Sequence, residues 1–281
     1  MASASVMLVQ PKGELWEKIR VELNENVNTR DQDLATIKDW LKKQPHLPDE
    51  WDIVKQAQDD RCLMSFLRGC NFSLERCKKK LDMYFTMRSA CPEFFSNRDI
   101  TNPELHDLMK RAQGPTMPGL TPSGRRVTIC KALDKKLDPA QLNDAFKIAM
   151  MIGDVRLMEE IEGVAGDIYI LDASVVSPSH LGKLSPSALK KFFICVQIHF
   201  HSSYTALHEF VPKELLPTEY GGTGCPLDEI NSAWMKKLEE YKDWFKAQEN
   251  LKANEALRPG KPTNYDELFG IDGSFRQLAI D

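Results

Sequence analysis

His199 and His201 stand two residues apart in the run IHFHS, a spacing that puts both imidazoles on one side of an extended strand, and His208-Glu209 follows closely. This is the most enzyme-like constellation in the chain. A metal-assisted hydrolase built on His199, His201 and His208 would bind zinc stoichiometrically. A tetrahedral zinc site, however, needs at least three convergent protein ligands, usually with one distant in sequence, and an HxH pair alone does not supply them. The expectation is therefore no metal and no cofactor. Asp172, at the end of the apolar run GDIYILD, is a second candidate, but no other acid is placed to work with it, so it reads as the cap of a turn. The chain holds no GxSxG elbow, HExxH, GxGxxG or phosphate-binding Walker loop, and is not expected to be an enzyme.

The elements that carry these residues fall into two kinds. Residues 14–25 and 31–43 show apolar residues at helical spacing (Leu15, Ile19, Leu23; Leu34, Ile37, Leu41), and 59–67 starts a third helix that Gly69 closes. Ser73 is a suitable N-cap for a fourth, with Leu74, Cys77, Leu81, Tyr84 and Phe85 repeating every three or four positions. From Arg125 the pattern changes. RRVTICKAL reads as a buried strand, Asp138-Pro139 opens a long helix, DIYILDAS is a second buried strand, and Ser185-Pro186 opens a helix through Gln197. Strand, helix, strand and helix in that order predict an α/β domain with a mostly parallel sheet behind an all-helical N-terminal module.

Charge and composition narrow the function classes. Thirty-seven basic against 41 acidic side chains leave a net charge of −4, which argues against general nucleic-acid binding. The longest apolar runs, such as 192–196, fall far short of the roughly 20 residues of a membrane-spanning helix, and MASASVML lacks the basic start of a signal peptide. Seven cysteines without CxxC pairs fit free thiols in a reducing compartment, so the cytosol is the expected address. Arg61, Arg68, Arg76, Lys78, Lys79, Lys80 and Arg88 make the N-terminal helices locally basic; Asp59, Asp60, Glu75 and Asp82 offset much of this, and the expected outcome is a plain solvated surface.

Four segments in order, residues 59–95 (DDRCLMSFLRGCNFSLERCKKKLDMYFTMRSACPEFF), GDIYILDAS, LSPSALKKFF and LHEFVPKELLPTEYGG, resemble the CRAL-TRIO (Sec14-like) family, in its tocopherol- and retinaldehyde-binding branch. In the last segment, proline-broken turns lead to Gly221 and Gly222, where positive φ is expected. The resemblance implies a helical module (12–95), a linker (96–124), a lipid-binding domain (125–230) and a C-terminal helix and tail (231–281). It also implies a small hydrophobic ligand as partner. By position, the residues that match the family's pocket are Phe146, Ala149, Met150, Gly153, Ile170, Phe192, Cys195 and Val196, with Lys190 and Lys191 as the surviving basic pair near a lipid headgroup.

In relatives, the helix matching LSPSALKKFFICVQ is followed by a central strand and a gate helix. Here Gln197 runs straight into IHFHSSY, so the central strand and gate are expected to be missing, and with them the basic residues that grip phosphoinositides. The implied function is a monomeric, non-catalytic carrier of a retinoid, tocopherol or similar lipid, with peripheral contact to anionic membranes. The alternative is a regulatory or unstable form whose pocket has collapsed.

Overall fold

The computed structural model describes residues 8–48, 60–133, 141–172, 174 and 211–269. The N-terminal module consists of α1 (Gly13–Glu22), α2 (Arg30–Leu41), α3 (Arg61–Arg68), α4 (Leu74–Ala90), α5 (Pro92–Phe95) and α6 (Pro103–Arg111). Its core is the set of positions the helical periodicity marks: Leu34, Ile37 and Leu41 from α2, Leu63, Phe66 and Leu67 from α3, and Cys77, Leu81 and Phe85 from α4. The turn from α3 into α4 takes Asn71 and Phe72 through positive φ, and Asn102 caps α6 by accepting from the Glu104 amide at 2.9 Å.

The sheet is mixed rather than mostly parallel. Strand β3 (Arg125–Ala132) lies at its centre and pairs in parallel with β4 (Gly166–Asp172) on one side. On its other side it pairs antiparallel with β1 (Ala112–Gln113) and β2 (Thr116–Leu120). The antiparallel strands arise inside the stretch expected to be a linker. Residues 121–124 fold a tight hairpin there: Thr121 Oγ1 accepts from the Arg125 amide at 3.0 Å, and Gly124 takes φ +77°. A proline- and glycine-rich sequence (GPTMPGLTPSG) hides this strand from a pattern reading, because Pro118 interrupts the donor ladder.

Helix α7 (Leu142–Glu159) crosses from β3 to β4 and buries Ile148, Met151, Ile152 and Val155 against Val127 and Ile129. Helices α8 (Leu227–Glu240) and α9 (Lys242–Gln248) complete that core through Trp234, Leu238 and Phe245, with the Trp234 indole donating to the Thr116 carbonyl at 2.8 Å. A short helix, α10 (Tyr265–Phe269), ends the described chain. Among the described residues no helix is long and apolar enough to cross a membrane.

Candidate functional site

The outer face of α7 carries four of the pocket residues, Phe146, Ala149, Met150 and Gly153, at i, i+3, i+4 and i+7. Three of them meet side chains from other modules. The Phe146 ring lies edge-on to Phe94 with centroids 5.8 Å apart, and Met150 is buried with Met87, Cys91, Phe95 and Phe269. Ala149 lies at the margin of the same cluster, against which Tyr265 and Leu268 of α10 also pack. Gly153 is exposed, and a Cβ there would meet no atom within 4 Å. Ile170 packs against the central core instead, so α7 stands between it and the Phe146 cluster. Phe192, Cys195, Val196, Lys190, Lys191, His199, His201 and His208 lie outside the described residues. Among the described residues no group of three or more His, Cys, Asp or Glu side chains is placed to hold a metal.

Behind Met150, one turn on, α7 carries a buried charge. Asp154 accepts from the Tyr84 hydroxyl at 2.9 Å and from the guanidinium groups of Arg88 and Arg98. Burial pushes its carboxyl up, but the two arginines and their hydrogen bonds outweigh that and hold it below the usual carboxylate range. The rings of Tyr84, Phe95 and Phe245 flank the two guanidiniums. A cavity of about 20 Å³ beside this cluster, lined by Cys62, Tyr84, Asp154, Trp244 and Gln248 among others, has room for a single water and not for a lipid. Burial pushes the Cys62 thiol there up to about 12, aided by the Asp154 charge. The sequence offered one hint of this cluster, an aspartate inside the otherwise apolar helix face.

The LPTEYGG segment closes the sheet end. The buried Tyr220 donates to Asp172 Oδ2 at 2.9 Å, while Asp172 Oδ1 accepts from the Ser174 amide at 2.9 Å. Burial raises the Asp172 carboxyl, but Ser174, Tyr220 and Lys131 together hold it low. This carboxylate therefore orders a turn and anchors the tyrosine. Gly221 has φ +70°, as expected. Gly222 does not need positive φ: a Cβ there would lie 1.9 Å from the Leu216 carbonyl oxygen, so close backbone approach excludes any side chain.

The chain is similar in sequence to clavesins. It is 25% identical to Clavesin-2 of Homo sapiens and of Rattus norvegicus over 270 positions, covering 82% of this chain and 80% of each relative. It is 26% identical to Clavesin-1 of Xenopus laevis, covering 80% and 77%. These matches support the CRAL-TRIO (Sec14-like) family. A family model described as the Pinta-like UBA domain matches residues 26–105, within the helical module. The Clavesin-2 match runs over 270 positions but takes in 82% of this chain, so in total about 40 positions of the relative stand opposite no residue of this chain.

Proposed function

We propose that this chain binds a small hydrophobic lipid of the retinoid or tocopherol kind and hands it on without catalysis. The similarity to clavesins over four-fifths of the chain carries this reading, because it takes in both the helical module and the sheet domain of the family whose resemblance implies lipid carriage. The geometry supports it through the apolar face of α7. Phe146, Ala149 and Met150 offer an apolar seam of aromatic, small and polarisable side chains, and Gly153 leaves open volume at its end. Phe192, Cys195 and Val196 would complete the lining, and Lys190 and Lys191 would meet a lipid headgroup. A ligand burying a few hundred Å² of apolar surface gains several kcal/mol at about 25 cal/mol per Å².

A second reading has its own observation. Phe94 and Phe269 cover the α7 face, and the chain lacks in total about 40 positions of its relative over the matched span, enough for the strand and gate helix expected to be missing. On that reading the pocket is closed and the chain serves as a regulator. Native mass spectrometry of the purified full chain, followed by organic extraction, separates the two. A stoichiometric apolar ligand supports carriage. An empty, well-folded chain that takes up neither retinoid nor tocopherol refutes it.

A further inference from the structure

Helix α4 enters the fold with six charged side chains in its first nine residues, and the structure sorts them. Glu75 accepts from Lys78 at 2.6 Å. Asp82 accepts from Arg258 at 2.8 and 2.9 Å, a partner delivered from the far end of the chain. Of the other basic residues in the module, Arg68 is buried on Glu25, and Arg88 on Asp154. Both acids of α4 are thus consumed. Arg76, Lys79 and Lys80 are left exposed without an ion pair among the described residues.

These three cations fall at i, i+3 and i+4, and Met83, 37% exposed, continues the stripe at i+7. The buried stripe of α4 (Cys77, Leu81, Phe85) is centred on the other side of the helix, so Arg76, Lys79 and Met83 face away from the core, while Lys80 lies at the edge of the stripe, beside Gly69. Their field reaches the neighbouring thiol. Cys70 is brought down to about 7, first by the hydrogen bond from Cys77 and then by Lys80 and Arg76, against its own burial. On a chain of net charge −4, this is a local positive face with an apolar side chain within it.

We infer that the Arg76, Lys79, Lys80 and Met83 face of α4 docks the protein on an anionic phospholipid membrane. Two lysines are point charges suited to a diffuse anionic headgroup layer rather than to a bidentate protein carboxylate, and Met83 can enter the acyl boundary between them. Three cations are far too few for a nucleic-acid footprint. The face lies wholly on the helical module and does not depend on the α7 seam, so it stands or falls separately from lipid carriage.

The test is co-sedimentation of the full chain with phosphatidylcholine vesicles, with and without phosphatidylserine, at about 0.1 M salt. A cation near such a surface contributes about fivefold to partitioning, so R76Q/K79Q/K80Q should lose about a hundredfold on the phosphatidylserine vesicles. Glutamine keeps helix propensity, and the positions are exposed, so the variant should retain the wild-type circular dichroism spectrum. A control variant with the same charge loss at exposed positions elsewhere, K18Q/K236Q/K246Q, should stay within about twofold. Equal losses in the two variants, or a wild-type chain that ignores phosphatidylserine, would overturn the inference.

Discussion

Replacing Asp154 by asparagine tests the junction that holds the helical module on α7. The side chain is buried and balances two buried guanidiniums, so the shape-conserving change raises the enclosed charge from one positive unit to two and turns one acceptor into a donor facing donors. Among the described residues, the donors Arg88 Nε, Arg98 Nε and Arg98 Nη2 already have no hydrogen-bond partner, so no further acceptor there absorbs the loss. Breaking a buried pair from one side costs about 3 to 5 kcal/mol, a large share of a total stability of about 5 to 15 kcal/mol. Tm should fall by about 10 °C at neutral pH. The pH dependence has a definite sign. Because the folded-state carboxyl lies below its ordinary value of about 3.9, its contribution is fully present above that value and is lost as pH falls through the folded pKa. Urea unfolding followed by tryptophan fluorescence should therefore show a wild-type advantage that is constant from pH 5 to 8 and shrinks in stronger acid. A loss under about 1 kcal/mol, or a gap that widens in acid, would refute this account of the cluster.

Three further changes probe the fold and the seam. Gly222→Ala forces a Cβ into the Leu216 carbonyl, a backbone atom that cannot swing aside, and should cost about 3 kcal/mol in urea midpoint measurements. Gly153→Ala meets open space inside a helix, so it should instead stabilise by about 0.5 to 1 kcal/mol in the same assay. Phe269→Ala removes the ring that α10 buries against Met150 and Phe94. Because α10 is a five-residue helix held through this one apolar cluster, the effect should be local, seen as about tenfold faster chymotryptic cleavage after Tyr265 with little change in global Tm.

Much of the helical module was legible because its signals are local. Leu34, Ile37 and Leu41 recur at helical spacing, and their burial follows from that period alone. Strand β4 was legible for a similar reason, as an apolar run ending in Asp172. Strand β2 was not, because its pairing with β3 rests on a hairpin whose threonines meet across the sheet, Thr116 and Thr128 with their hydroxyls 2.8 Å apart. Pro118 argues against a strand until an edge position excuses it. At the candidate site, the spacing of Phe146, Ala149, Met150 and Gly153 marked one helix face. It could not show that Phe269, more than a hundred residues on, would lie against that face. Neither could it show which of the many cations of α4 are neutralised, since Asp82 finds its partner in Arg258 and Arg88 finds its partner in Asp154.

Among the described residues, the helical module and the sheet are joined at three buried charge clusters. Glu25 holds Arg68, whose guanidinium also donates to the Ile161 carbonyl as it passes Gly163. Asp154 holds Arg88 and Arg98. Arg126 of β3 donates to Glu160 at 2.7 and 2.8 Å and to the Val9 carbonyl at 3.0 Å, which ties the N-terminal segment to the end of α7. All three lie on α7, on the loop that follows it, or on the central strand. Because each cluster strands buried charges if it opens, together they hold the module on the sheet. The elements that present the α7 seam and the α4 cationic face are thus tied to one another by contacts among the described residues.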